Sequence, residues 1–172
     1  MGIGFLLVQI APENLVLGFF DVSEVVLLHG IDERAHCRRS HRQAGADGKR
    51  GQFHADALLG LALSVRAERV LAVTDVDLYA GDLNFVFGVA QPSGRAGVIS
   101  LFRLHLDADN ERFRGRALKE AMHELGHTFG LGHCADPGCV MWFSNTLGET
   151  DRKGAAYCHR CEKLRLARGS GK

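Results

Sequence analysis

The segment His123-Glu-Leu-Gly-His127 sets two imidazoles four positions apart. On a helix that spacing lays both rings on one face, where they can bind one ion, and puts Glu124 beside the first of them. Zinc lowers the pKa of a water it holds toward neutrality, and a carboxylate within reach takes the proton as that water attacks a polarised carbonyl. The chemistry implied is hydrolysis without a covalent intermediate. Two helical histidines near a glutamate also occur as surface or satisfied groups, so HExxH alone leaves both readings open. The chain continues Thr-Phe-Gly-Leu-Gly-His133, and Gly130 can take the positive φ that ends a helix and turns the chain back. His133 then becomes a third ligand, and three nitrogens leave one tetrahedral position open, as in catalytic rather than closed structural zinc.

A second ligand set follows at once. Cys134-Ala-Asp-Pro-Gly-Cys139 and Cys158-His-Arg-Cys161 are CxxxxC and CxxC halves that together offer four thiolates, with His159 a possible substitute for one. Four sulfurs close a tetrahedral zinc and exclude water, so this ion is expected to be structural. The competing readings are four unrelated buried cysteines, or a nucleic-acid-binding zinc module helped by Arg152, Lys153, Arg160, Lys163, Arg165 and Arg168. The latter lacks aromatic interleaving and a recognition element. Cys37 stands apart and reads as a free thiol.

HExxHxxGxxH followed by Met141, eight residues past His133, resembles the metzincin signature with its Met-turn. Met141 is the supporting residue in that reading; on its own it would pass for core. The longer pattern HExxHxxGxxHCxxxxCxM, with Phe143-Ser-Asn145 and Thr150-Asp-Arg-Lys153 ahead of CxxC, resembles the archaemetzincins, the archaelysin family of two-zinc metzincins. Similar stretches occur at Arg50-Gly-Gln-Phe-His-Ala-Asp56, Thr74-Asp-Val-Asp-Leu-Tyr79 and Leu83-Asn-Phe-Val-Phe87. The resemblance implies an α/β (α+β) fold: one compact metzincin-like domain over 1–172, with a mixed twisted sheet of about four to five strands, an active-site helix and a zinc-bound C-terminal segment. It implies a zinc metallopeptidase, with aminopeptidase-type cleavage described among relatives, and makes Leu83–Ala90 an edge strand on which an extended peptide can align. Tyr157 follows Met141 but sits beside Cys158, so the resemblance supplies no oxyanion-stabilising tyrosine.

Several elements must position these groups. Residues 111–129 carry the longest helical pattern, with Phe113, Leu118, Met122, Leu125 and Phe129 at spacings of three to five. Residues 52–66 also read as a helix, 3–10 and 69–75 as strands, and 83–90 with 97–106 as an antiparallel pair about the turn residues Pro92 and Gly94. Periodicity leaves 13–29 undecided between helix and strands. Residues 32–51 read as a polar surface loop, and the basic tail from Arg152 as a solvated end.

Composition excludes more than it names. The 172 residues are 46% apolar and 24% charged, which suits a globular chain with a core. With 21 basic and 20 acidic residues, the net charge of +1 gives no pull toward nucleic acid or anionic membrane. Met1–Ile10 lacks a basic n-region, position six is Leu rather than the Ser or Thr of a myristoylation signal, and no apolar run reaches membrane length. The expectation is a monomeric cytoplasmic enzyme with two zinc ions, a peptide or protein substrate, and no nucleic-acid or membrane partner. The alternative is a non-catalytic zinc protein that binds peptides or serves as an interaction module.

Overall fold

The structure, a computed structural model, describes residues 24–28 and 46–169. The strands are β1 (Glu24–Leu28), β2 (Ala46–Asp47), β3 (Gln52–His54), β4 (Val70–Thr74), β5 (Leu78–Tyr79), β6 (Gly88–Ala90) and β7 (Ala96–Ser100). The helices are α1 (Ala55–Ser64), α2 (Asn110–Thr128), α3 (Leu147–Arg152) and α4 (His159–Gly169), with a 3-10 turn at Arg103–His105. The main sheet has the order β1-β4-β7-β6, its first three strands parallel and β6 antiparallel to β7. A second, small sheet runs β2-β3-β5. The mixed α/β class holds, with four strands in the main sheet and the short ones set apart.

Every residue of β4 (VLAVT) and β7 (AGVIS) is buried, as expected for central strands covered on both faces. Side chains alternate between two cores. Val70, Ala72, Ala96 and Val98 meet Ala55, Leu58 and Ala62 of α1, while Leu71, Val73 and Ile99 meet Ala117, Ala121 and Leu125 of α2. Each large aliphatic side chain so buried contributes about 2 kcal/mol from its apolar area. Among the described residues no helix is long and apolar enough to cross a membrane.

α2 starts where Asp109 accepts a hydrogen bond from the Arg112 N–H at 2.8 Å. It ends in a Schellman turn: Leu131 N–H donates to the Gly126 carbonyl at 3.0 Å and Gly130 N–H to that of His127 at 2.8 Å, with Gly130 at φ 78°. The helix therefore lies one residue ahead of the expected 111–129.

Other expectations shift for physical reasons. The helix read over 52–66 begins only at Ala55, because Gln52 pairs with β2, Phe53 and His54 pair with β5, and the Phe53 N–H donates to the Asp77 carbonyl. β7 stops at Ser100; beyond it Leu104 turns inward and the chain winds into the 3-10 turn. Of Leu83–Ala90 only Gly88–Ala90 is strand, and the preceding residues carry a single bridge, Leu78 to Val86. The tail is not simply solvated, since Lys153 is fully buried and Cys161 nearly so. The strand expected at 3–10 and Cys37 lie outside the described residues. Of the undecided 13–29 only β1 is described, and of the loop 32–51 only 46–51, a short strand and turn.

Candidate metal centre and its cleft

His123 and His127 project from the same face of α2, and the Schellman turn brings His133 back to them; their ligand nitrogens lie within 4.8 Å of one another. The His123 Nδ1 lies 2.8 Å from the Val140 carbonyl and the His127 Nδ1 2.8 Å from the Leu131 carbonyl. A carbonyl only accepts, so both Nδ1 atoms carry the proton and both Nε2 atoms present lone pairs. Those Nε2 atoms are 3.1 Å apart. Two lone pairs at that distance repel unless a cation lies between them, and ligands about 2.0–2.1 Å from a tetrahedral zinc are themselves roughly 3.3 Å apart. A proton does not fill the role well: burial pushes His123 down to about 3, and lowers His127 and His133 too. The donor set fits zinc.

Glycines make the fit possible. A Cβ on Gly126 would collide with the Met141 sulfur, so Met141, wholly buried, lies directly against the helix between the two histidines. The Ser93 N–H of the β6–β7 turn donates to the His127 carbonyl at 3.0 Å and pins the end of α2.

Glu124 is buried, at 4% exposure, under two more glycines. A Cβ on Gly88 would stand 2.7 Å from its Cγ and 2.8 Å from Oε1, and one on Gly97 would stand 3.3 Å from its Cβ. β6 and β7 together form a slot for this carboxyl. Burial raises its pKa well above the ordinary value and the nearby Glu120 adds to this, while Lys153 opposes them. A divalent cation beside it would act in the same sense as Lys153, toward the ionised form.

A cleft of about 240 Å³ opens here, lined above by Leu83–Gly88, along its floor by Glu120, His123 and Glu124, and below by Phe143, Ser144 and Asn145. The upper lip is irregular backbone held by side chains. Arg103 makes a bidentate pair with Asp77, 2.7 Å at each contact, and lies over the Phe85 ring. The Gln52 amide donates to Asp77 and to the Asn84 carbonyl, both at 2.9 Å, and Arg50 donates to the Leu83 carbonyl at 3.3 Å. The three stretches singled out before residue 90 in the sequence are therefore one brace. Edge strand β6 continues this lip.

The sulfurs of Cys134, Cys139, Cys158 and Cys161 also lie within 4.8 Å of one another, with 3.9 Å between Cys134 and Cys158. Thiolates about 2.3 Å from a tetrahedral zinc are roughly 3.8 Å apart. Cys158, at the N-terminal end of α4, is held down to about 7, chiefly by the Cys161 N–H, while burial pushes Cys139 and Cys161 up. Four crowded thiols cannot all ionise without a cation among them. His159 is exposed and stands outside the group. Tyr157 donates to the Met122 carbonyl at 2.7 Å, which turns its hydroxyl into the C-terminal packing and away from any catalytic duty.

The residues missed in the sequence are those on α2 one to two turns ahead of the histidines. Arg116, 3% exposed, pairs with both oxygens of Asp151 at 2.7 Å. Lys119 donates to the Thr150 and Asp151 carbonyls, and Lys153 Nζ lies 2.8 Å from Glu120 Oε1. Thr150-Asp-Arg-Lys153, recognised only as a similar stretch, is the clamp that holds the active helix. No local signal in the sequence marked it, since its partners Arg116, Lys119 and Glu120 are distant along the chain.

Comparison with known proteins agrees with this geometry. A family model described as Peptidase family M54 matches residues 43–167. The archaemetzincin of Methanopyrus kandleri is 54% identical over 117 residues, which span 67% of this chain and 66% of that protein. That of Pyrococcus abyssi is 45% identical over 160 residues, 87% of this chain and 82% of the relative. The crystal structure of the M. kandleri protein superposes with a TM-score of 0.72 at 38% identity, covering 85% of this chain and 95% of that one. The Archaeoglobus fulgidus archaemetzincin, solved in complex with malonate, gives 0.67 at 30% identity over 82% of this chain and 99% of that one.

Proposed function

The chain belongs to peptidase family M54, the archaemetzincins, and is a zinc metallopeptidase; on that premise we propose that His123, His127 and His133 hold its catalytic zinc and that Glu124 is its general base. The observation that carries this is the pair of facing Nε2 lone pairs 3.1 Å apart, with the Glu124 carboxyl in the same cleft. Zinc, when bound there, supplies a Lewis acid that acidifies water and polarises the scissile carbonyl. The substrate strand aligns on the edge of β6, which among the described residues is the outermost strand of its sheet, through backbone hydrogen bonds. Glu124 accepts a proton from the attacking water as its oxygen adds to the carbonyl carbon. The carbon–nitrogen bond then breaks, and Glu124 returns that proton to the departing amine. His123 and His127 stay neutral throughout, each oriented by the carbonyl that holds its Nδ1.

Cys134, Cys139, Cys158 and Cys161 hold a second, structural zinc in this reading, which supports Met141 from below. Free thiols at such a site suit the reducing cytoplasm. Aminopeptidase-type action is the finer activity, supported by the family resemblance. The test is cleavage of a mixed peptide library by zinc-replete protein beside Glu124→Ala, read by mass spectrometry, with an N-acetylated copy of the library in parallel. Cleavage lost in the variant supports the base assignment, and cuts confined to free N-termini support the aminopeptidase class. If acetylated peptides are cut equally well, that class is wrong. If both proteins hold zinc and neither cuts, the chain is better read as a peptide-binding module.

A further inference from the structure

Glu120 lies one helical turn before Glu124 on α2 and lines the same cleft, though only 3% exposed. Both of its contacts with α3 and the residue after it fall on Oε1: Lys153 Nζ at 2.8 Å and the Thr150 hydroxyl at 3.4 Å. Lys153 has no exposed side-chain surface and stands behind Glu120, outside the lining of the cleft. The floor thus presents a carboxylate whose charge is balanced from the protein side and whose second oxygen has no hydrogen-bond partner among the described residues. Beside it are the polar Ser144 and Asn145, and toward the mouth Leu83 and Phe143, 56% and 47% exposed. A cleft of about 240 Å³ falls below the roughly 300–1,000 Å³ of drug-sized ligand sites and suits an amino-acid side chain.

We propose that Glu120, held in place by Lys153, is a specificity-determining residue that selects an uncharged hydrogen-bond donor, of the Asn, Gln, Ser or Thr class, on one of the two substrate residues flanking the cut bond. The inference rests on the peptidase reading above. An apolar side chain at this floor strips water from the Glu120 oxygen and returns no hydrogen bond. An acidic one meets both Glu120 and Glu124. A basic one brings a second cation to a carboxylate that Lys153 already neutralises. A neutral donor satisfies the oxygen and incurs neither repulsion.

The test is the residue profile around each cut in the same peptide library. Wild-type protein is expected to favour neutral donors over Leu, Phe, Asp, Glu, Lys and Arg at one flanking position by about tenfold or more. The double change Glu120→Leu with Lys153→Met leaves no orphan charge, a replacement that folds usually tolerate; it is expected to move the preference to apolar residues. Glu120→Gln alone leaves the Lys153 ammonium uncompensated and is expected to admit acidic residues. Wild-type cuts favouring apolar or charged residues, or showing no preference, would overturn the inference and leave the peptidase reading standing, as would an unchanged profile in either folded variant. No cutting by zinc-replete wild-type protein would overturn both.

Discussion

A general base must sit within an ångström or so of its working position, and for Glu124, the base proposed here, that position is set by what its neighbours lack. With no side chain at Gly88, the carboxyl passes beneath β6; an alanine there would stand 2.7 Å from Glu124 Cγ and equally close to the Val98 carbonyl. The carboxyl is the softer of the two and moves. Gly88→Ala is expected to lower kcat by roughly ten- to a hundredfold through that misplacement, with zinc content unchanged and KM little altered. Steady-state kinetics beside metal analysis would check this, and an unaltered kcat would mean that Glu124 has room to spare. The proposed ligand histidines were legible as a cluster because their geometry is local: four residues span one helical turn, and Gly130 marks where it ends. Gly88 was not, since its neighbour Glu124 is distant along the chain and a glycine in an apolar run carries no mark of what passes over it. Lys153 was hidden in the same way, as one cation in a basic tail.

At the scale of elements, α2 is gripped at Arg116, Lys119 and Glu120 by the chain from Thr150 to Lys153. Arg116 is nearly buried and depends on Asp151, whose carboxyl the hydrogen-bonded guanidinium holds below its ordinary value of 3.8. A carboxyl with a depressed folded-state pKa stabilises the fold above its unfolded value, and loses that contribution as pH falls through the folded one. Asp151→Asn is therefore expected to cost about 2 kcal/mol at pH 7, because it leaves the Arg116 charge without its partner. The difference from wild type should shrink as pH falls well below 3.8, where the wild-type carboxyl also becomes neutral. Denaturant unfolding at both pH values would measure it; a difference independent of pH would show that the ion pair is not its source. α2 and β4 were read from the sequence almost to the residue because their periodicity and apolar content are strong. The upper lip of the cleft was read as strand from Leu83 onward because its side chains look like strand side chains. Their partners are instead Arg103, Asp77 and Gln52, and no periodicity reports a brace assembled from three segments.

For the whole molecule, the chain before Ser100 supplies the upper lip of the cleft, and everything from Asn110 on supplies its floor, its lower wall and both ligand clusters. The cysteine cluster ties the chain around Met141 to α4, so the metal it is proposed to hold would brace the wall beside His123, His127 and His133. Cys139→Ser is expected to lower the thermal midpoint sharply and to lower turnover with it, since structural zinc contributes on the order of 10 kcal/mol to such segments. Full turnover with one zinc bound would separate the two clusters. The central claim, that Glu124 moves the proton at the zinc of His123, His127 and His133, is met most directly by measuring kcat for Glu124→Gln loaded with zinc at both ligand clusters. A fall of about 10²- to 10⁴-fold, with zinc content and thermal midpoint unchanged, is the predicted result. A variant that turns over within a few-fold of wild type would contradict the account.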